Sequence, residues 1–373
     1  MFNRLIDSFM PKFIISGGGT GGHIFPAVSI AGEILRRDPQ AELLFVGAKG
    51  GMEETVVPKY GYRIESVPIS GIQRQLTAQN IFRNLQFPFK LMRSLAQSRA
   101  IIDRFQPDAV VGVGGFASGP LGRAAASQGI PLFLCEQNAY PGLVNRWLAG
   151  KARKILLGNA DAQSYFDASK TVVTGNPIRS FTLIDRNTAA QQLGLDPAKP
   201  ILLSLGGSLG ALRINQALQQ TLHLITEGEV QLVWQCGKRY HERLQAEVPS
   251  HPHIKLSAFI DDMALAYAAA DLVISRAGGS TISELIALSK PSVLVPSPNV
   301  SEDHQTKNAL SLSEKQAAVL VKDADAIAHL LPTALAILGD PERLAQLTQR
   351  ITAFEKHDAA REIVDEIFEA LNT

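Results

Sequence analysis

The residues best suited to chemistry in this chain stand beside runs of glycine. Gly17-Gly18-Gly19-Thr20-Gly21-Gly22 is followed directly by His23. Three further runs have the same character: Gly112-Val113-Gly114-Gly115-Phe116-Ala117-Ser118-Gly119-Pro120, Gly206-Gly207-Ser208-Leu209-Gly210-Ala211 and Arg276-Ala277-Gly278-Gly279-Ser280-Thr281. A glycine turn joining a strand to a helix gathers backbone N–H groups at the helix N-terminus, which makes an anion site without any charged side chain. The unperturbed pKa of a histidine lies near neutrality, so His23 can take a proton from a hydroxyl. Glu136-Gln137-Asn138 offers a carboxylate and two amides, a set that suits a hydroxyl-rich ligand. Glu284 can accept both hydroxyls of a ribose, but Thr281-Ile282-Ser283-Glu284 equally fits a capping box in which the glutamate binds only backbone. Asp303-His304-Gln305-Thr306-Lys307-Asn308 adds polar groups after a proline-rich turn.

These groups need strands and helices to position them, and the pattern supplies both. Continuous apolar runs at Phe13-Ile14-Ile15, Leu43-Leu44-Phe45-Val46, Ala109-Val110-Val111, Leu132-Phe133-Leu134, Ile201-Leu202-Leu203, Leu232-Val233-Trp234, Leu272-Val273-Ile274 and Ser292-Val293-Leu294-Val295 read as parallel strands covered on both faces. Helical periods lie between them. Ile24, Ala27, Val28, Ala31, Ile34 and Leu35, for example, share one face. This alternation implies doubly wound α/β architecture. A strand-glycine-helix start at Gly17 and another at Gly206 suggest two Rossmann-like domains in tandem, so that the four turns would meet in a crevice between them. The expected domains are 1–177 and 178–355, with the linker in the turn-rich Gly175-Asn176-Pro177-Ile178-Arg179 and the polar stretch to Pro200. The closing helix, within 356–373, is expected to pack back on the first domain.

Composition narrows the class. In 373 residues, 36 Lys and Arg oppose 35 Asp and Glu, a net charge of +1, which excludes a globally basic nucleic-acid coat. With 46% hydrophobic and 19% charged residues the chain can bury large cores rather than remain disordered. Cys135 and Cys236, each in an apolar run, point to a reducing compartment. No apolar run approaches the roughly 18–20 residues that span a bilayer, and Met1–Pro11 is too short and too broken by Asp7 for a signal peptide. Gly17–Gly22 formally satisfies the dinucleotide fingerprint, but the strand at Leu43–Val46 ends in Gly47-Ala48-Lys49-Gly50-Gly51, without the acidic residue that would hold a ribose diol. An NAD(P)-dependent oxidoreductase is disfavoured on that ground. Asp323-Ala324-Asp325 has the spacing of a metal-binding pair, but it leads into a helix, where N-cap and first-turn duty explains it better.

The ordered set Gly17–Ala27, Gly114–Pro120, Glu136–Ala139, Pro141–Leu143, Gly175–Arg179, Gly206–Ala211, Arg276–Thr281 and Asp303–Ala309 resembles the MurG family of bacterial cell-wall N-acetylglucosaminyltransferases. The resemblance covers residues 11 to 373. It implies a GT-B fold, two Rossmann-like domains facing across a cleft. It also implies transfer of GlcNAc from UDP-GlcNAc to the MurNAc 4-hydroxyl of an undecaprenyl-pyrophosphoryl-MurNAc-pentapeptide, with inversion and without cofactor or metal. Under it, Glu284 would bind the ribose and Ile260 the uracil edge through its backbone. Ser208, Gly279, Ser280 and Thr281 would hold the diphosphate, with Arg179 nearby. Asn138, His304 and Gln305 would reach the GlcNAc hydroxyls, and Thr20, Gly21 and Gly22 would join the donor site. Gly18, Gly19, Gly114 and Gly115 would face the acceptor diphosphate. His23 would be the general base, with Glu136 in reserve. The cytoplasmic face of the bacterial membrane and other cell-wall synthesis proteins are the implied partners.

A lipid-linked acceptor calls for a docking patch. From Ile72 to Ile102 the chain has no acidic residue but carries Arg74, Arg83, Lys90, Arg93 and Arg99 among Ile81, Phe82, Leu85, Phe87, Phe89, Leu91, Met92 and Leu95. Such a stretch can lie in an anionic lipid interface. The same pattern also suits a core helix with a solvated basic face. Other functions open to these residues are a UDP-GlcNAc 2-epimerase or tailoring glycosyltransferase with the same nucleotide site, and a non-catalytic nucleotide-binding scaffold, against which His23 and the Glu136 loop argue.

Overall fold

The computed structural model describes residues 10–71, 85–178, 181, 184–207, 210–300 and 303–372. The chain divides into two compact units, Met1–Arg179 with His357–Thr373, and Ser180–Lys356.

The apolar runs of the first unit become β1 (Lys12–Ser16), β2 (Glu42–Ala48), β3 (Arg63–Val67), β4 (Ala109–Gly112), β5 (Leu132–Glu136), β6 (Lys154–Leu157) and β7 (Thr171–Val173). Among the described residues they form one parallel sheet in the order β3-β2-β1-β4-β5-β6-β7. Side chains alternate between two cores, Phe13 and Ile15 entering one and Ile14 the other, which is why the central strands read as unbroken apolar sequence. The closing helix Ala359–Asn372 buries Ile363, Val364, Ile367 and Ala370 beside Phe13, Ile24 and Ala27. Each of the larger aliphatic groups contributes about 1.5–3 kcal/mol relative to exposure. That outweighs the half-exposed pair between Asp365 of this helix and Arg37 of the helix Gly21–Arg37, since surface pairs contribute about 0–1 kcal/mol.

The second unit repeats the plan. β8 (Ile201–Leu205), β9 (Gln231–Gln235), β10 (Ile254–Ser257), β11 (Leu272–Ser275), β12 (Ser292–Leu294) and β13 (Val319–Leu320) run parallel in the order β10-β9-β8-β11-β12-β13. In both sheets the order reverses beside the first strand, between β1 and β4 and between β8 and β11. In open α/β sheets ligands bind at the carboxyl ends of the strands flanking such a reversal.

The turn at the end of the first unit is folded rather than open: Asn176 is 6% exposed and its side-chain NH2 donates to the Gln137 carbonyl at 2.9 Å. The polar stretch before Pro200 is also folded. Its helix Arg186–Gln192 is capped by Asp185, and Arg186 donates to both carboxylate oxygens of Asp271 at 2.6 Å. Polarity there reflects ion pairing in the second unit rather than an open linker.

Both cysteines are buried and free. Burial, reinforced by the neighbouring Glu136 carboxylate, pushes the Cys135 thiol up to about 12, and burial also raises that of Cys236. The thiolate is the reactive form. Iodoacetamide is therefore expected to leave both thiols unmodified in the native protein at neutral pH and to modify both after denaturation, as read by intact-mass spectrometry.

Candidate active site

In the first unit Ser16 and Gly112 are register partners at the ends of β1 and β4, so the two glycine turns leave the sheet side by side at its reversal. The helix after the first turn spans Gly21–Arg37, three residues earlier than the apolar period begins, with Thr20 as its N-cap. Gly21, Gly22 and His23 form its first turn, and the backbone N–H groups of His23 and Ile24 donate to the Thr20 carbonyl at 3.1 and 3.2 Å. The partly buried His23 ring is held at Nδ1, 3.1 Å from the Gly18 carbonyl and 3.4 Å from Thr20 Oγ1. Its other edge lies against Gly114. A Cβ there would sit 2.6 Å from His23 Cδ2 and 2.8 Å from Nε2, and Gly114 has φ +98°. The second turn thus needs glycine for backbone conformation and for the space the imidazole occupies. Gly115 likewise crosses the backbone of Gly18, its absent Cβ leaving 2.5 Å to that carbonyl oxygen. Ser118 ties the turn down by donating to Ser16 O and Gly114 O at 2.9 Å each.

Sequence reasoning missed Glu53. Its side chain is wholly buried, one oxygen accepting from Ala48 N at 2.8 Å and the other from Gly19 N at 2.9 Å. Gly18, Gly47 and Gly51 all border it, each close enough that a Cβ would come within 2.5 Å. Two corrections follow. An acidic residue does lie by the carboxyl end of β2, contrary to the sequence argument against NAD. Both of its oxygens are engaged by backbone N–H groups, however, one of them in the glycine turn itself, so it is not presented to a ribose diol. For the same reason the N–H of Gly19 is committed to Glu53 rather than to an acceptor diphosphate. The glycines of Gly47-Ala48-Lys49-Gly50-Gly51 were the visible signal, because glycines crowd where a bulky group approaches backbone.

Glu136 is 2% exposed at the end of β5. One oxygen accepts from Asn138 N and Asn138 Nδ2 at 3.0 Å, the other from Gly142 N at 2.9 Å and Asn145 Nδ2 at 2.8 Å. Four donors on one buried carboxylate organise the loop that presents Asn138, and they leave it poorly placed to abstract a proton. The reserve role of base is thereby corrected to that of a scaffold for the loop.

In the second unit Leu205 and Ser275 are register partners, so the turns after β8 and β11 also emerge together at the reversal. The four turns thus come in two pairs, one to each sheet. Gly278 is the N-cap of the helix Gly279–Ala287, placing Gly279, Ser280 and Thr281 in its first turn with their backbone at the positive end of the helix dipole. Glu284 lies well inside this helix. That overturns the capping-box reading, which needed the helix to start at Thr281. Glu284 is 8% exposed and accepts from the Tyr267 hydroxyl at 2.9 Å, while Tyr267 stacks edge-on against Phe181. Tyr267 has no polar motif around it and could not be found from sequence.

Ile260 is partly buried in the loop after β10. His304 and Gln305 open the helix His304–Ser313, and Gln305 Oε1 accepts from Ser297 N at 2.8 Å. The buried Asn308 donates to Ala277 O at 3.0 Å, fastening that helix to the turn before Gly279. Asp323 and Asp325 lie in the first turn of the short helix Asp323–Asp325, and Asp325 is the N-cap of the helix Ala326–Leu338, the first-turn and capping duty expected of them, while Asp323 has a further task. It pairs with Arg276, which also donates to Val295 O and Pro296 O and so clamps the turn from below. Among the described residues no three His, Cys, Asp or Glu side chains gather as a metal site would require. Arg179 and Ser208 lie outside the described residues.

Comparison with known proteins gives a consistent picture. The glycosyltransferase family 28 N-terminal domain matches residues 13–157 and the glycosyltransferase family 28 C-terminal domain residues 201–363. The UDP-N-acetylglucosamine–N-acetylmuramyl-(pentapeptide) pyrophosphoryl-undecaprenol N-acetylglucosamine transferase of Bacteroides fragilis is 48% identical over 363 residues, spanning 95% of this chain and 94% of that protein. The crystal structure of Acinetobacter baumannii MurG superposes with a TM-score of 0.76 at 28% identity, over 96% of this chain and 99% of that one. A UDP-N-acetylglucosamine 2-epimerase structure shares the fold alone, with a TM-score of 0.63 at 13% identity and 97% coverage of each chain.

Proposed function

Because the chain belongs to glycosyltransferase family 28, and within it to the UDP-N-acetylglucosamine–N-acetylmuramyl-(pentapeptide) pyrophosphoryl-undecaprenol N-acetylglucosamine transferases, we propose a direct-displacement mechanism in which His23 is the base. The enzyme is a UDP-GlcNAc-dependent transferase of the GT-B fold. It moves GlcNAc onto the MurNAc 4-hydroxyl of the undecaprenyl-linked monosaccharide (lipid I to lipid II) in peptidoglycan synthesis. The observation that carries this reading is the 48% identity to a transferase of that name across both units.

In the proposed mechanism His23 Nε2 takes the proton of the 4-hydroxyl. The freed oxygen pair attacks the sugar C1 as the bond from C1 to the β-phosphate oxygen breaks, and UDP leaves with that pair. One displacement converts an α-linked donor into a β(1→4) product. Negative charge growing on the diphosphate meets the N-terminus of the helix Gly279–Ala287 and the hydroxyls of Ser280 and Thr281, with Ser208 and Arg179 as further donors. Glu284, steadied by Tyr267, receives the ribose hydroxyls, and Ile260 meets the uracil. Asn138, His304 and Gln305 serve the GlcNAc hydroxyls. In the first unit the N-terminus at Thr20, Gly21 and Gly22 is the better anion donor, since Gly19 is committed to Glu53. The test is whether UDP release from UDP-GlcNAc requires a short-chain lipid-linked acceptor. Equal UDP release without acceptor would refute transfer.

The enzyme meets its acceptor at an anionic membrane surface through the helix Phe87–Phe105. Pro88 stands in its first turn, and Leu85, Phe89 and Met92 point outward, each more than two-thirds exposed. The buried face is carried by Ser94, Ser98, Ile101 and Ile102. Phe87, Leu91, Ile101 and Ile102 pack on the core of the first unit, while large apolar groups face solvent at the end of the same helix, which also carries Lys90, Arg93 and Arg99. The segment before it, with Phe82, lies outside the described residues. No described helix is long and apolar enough to cross a membrane. Burying three such side chains at about 1.5–3 kcal/mol each predicts that Leu85→Ser/Phe89→Ser/Met92→Ser weakens binding to anionic vesicles at least about tenfold in a co-sedimentation assay, with transfer to a water-soluble acceptor retained. Unchanged sedimentation would rule this surface out.

A further inference from the structure

The geometry points to Glu53 as the positioning residue for His23, acting through one peptide group. The inference rests on the reading of His23 as base and goes beyond it. The N–H of Gly19 and the carbonyl of Gly18 belong to the same peptide unit. Glu53 accepts the N–H at 2.9 Å, and His23 Nδ1 lies 3.1 Å from the carbonyl oxygen. In a planar trans peptide these two groups point in opposite directions. Fixing the N–H toward Glu53 therefore aims the carbonyl at the imidazole. A carbonyl can only accept, so Nδ1 must donate, and the neutral ring then keeps its lone pair on Nε2. A carboxylate on the N–H also polarises the carbonyl and strengthens its hold on Nδ1. The arrangement does what a carboxylate does when it binds a catalytic histidine directly, with a peptide group interposed.

A buried carboxylate is costly unless hydrogen-bonded, and Glu53 receives its two donors from the end of β2 and from the turn that carries Gly18 and Gly19. Gly18, Gly47 and Gly51 leave it the room to do so. Its carboxylate joins those two backbone segments in one rigid unit.

Glu53→Gln keeps the shape but offers one acceptor oxygen for two N–H groups. It is expected to lower kcat about 10- to 100-fold, by analogy with the loss seen when the hydrogen-bond partner of a metal-ligating histidine is removed, with the KM for UDP-GlcNAc unchanged. In a His23→Ala background the same substitution should cost nothing further. A wild-type kcat in Glu53→Gln, or an equal loss in both backgrounds, would overturn the inference while leaving the role of His23 intact. Full activity of His23→Ala alone would instead overturn the base reading on which it rests. A measurement on the native protein guards against a variant that fails to fold. In 15N-histidine spectra, the resonances absent from His23→Ala should report the Nδ1-protonated tautomer above the ring's titration, and the Nε2-protonated form there would contradict the proposal.

Discussion

Replacing His23 by alanine is expected to lower kcat by about 10²- to 10⁴-fold, the usual contribution of a positioned general base, with little change in the KM for UDP-GlcNAc. The split follows from where the residue sits. His23 lies in the first turn of its helix with Nδ1 3.1 Å from the Gly18 carbonyl, and the proposed chemistry is assigned to Nε2. The donor contacts proposed in the second unit do not involve it. A hydroxyl such as the MurNAc 4-OH is a poor nucleophile until its proton is removed, so loss of the base slows the chemical step rather than donor binding. Steady-state kinetics with a soluble acceptor analogue measure this. Full activity of His23→Ala would move the base elsewhere, and a rise in donor KM at constant kcat would make His23 a binding residue.

Glu284→Ala is expected to reduce kcat/KM for UDP-GlcNAc by about 10²- to 10⁴-fold. Two ribose hydroxyls donating to one carboxylate are charge-assisted hydrogen bonds of about 1.5–3 kcal/mol each, and every 1.4 kcal/mol is about a tenfold change. The diagnostic is selectivity. By calorimetry the wild type should bind UDP far more tightly than its 2′-deoxy analogue, and Glu284→Ala should bind the two alike. The substitution also removes the Glu284 acceptor of the buried Tyr267 hydroxyl, at a cost of about 1–3 kcal/mol in stability. Pairing it with Tyr267→Phe should recover much of the thermal stability and none of the selectivity, which separates a folding defect from a lost ligand contact. Undiminished preference for UDP in Glu284→Ala would refute the ribose assignment.

The sheets were legible because parallel strands covered on both faces need unbroken apolar runs, as at Ile14-Ile15 and Leu202-Leu203. The glycine turns were legible because backbone must approach backbone, as Gly115 does Gly18. What could not be read were the groups that hold the functional side chains. Glu53 lies 30 residues from His23 in sequence and reaches it through a peptide plane, a relation with no spacing rule. Tyr267 meets Glu284 from a neighbouring helix across a buried core. The capping-box reading of Thr281 and Glu284 failed because a glycine at 278 starts the helix earlier, and capping residues mark a helix end only when the end is already known. Glu136 was recognised as important, but its surroundings are four donors that converge only in the folded loop.

The fold is shared with a UDP-N-acetylglucosamine 2-epimerase, so architecture alone does not decide the reaction. The most direct measurement is the structure of the product formed from UDP-GlcNAc and a short-chain undecaprenyl-pyrophosphoryl-MurNAc-pentapeptide analogue, determined by NMR and mass spectrometry. The account predicts a GlcNAc-β(1→4)-MurNAc disaccharide still attached to the lipid diphosphate, with one UDP released per disaccharide. An α-linked product, free GlcNAc, or conversion of the donor sugar to its 2-epimer without transfer would contradict it.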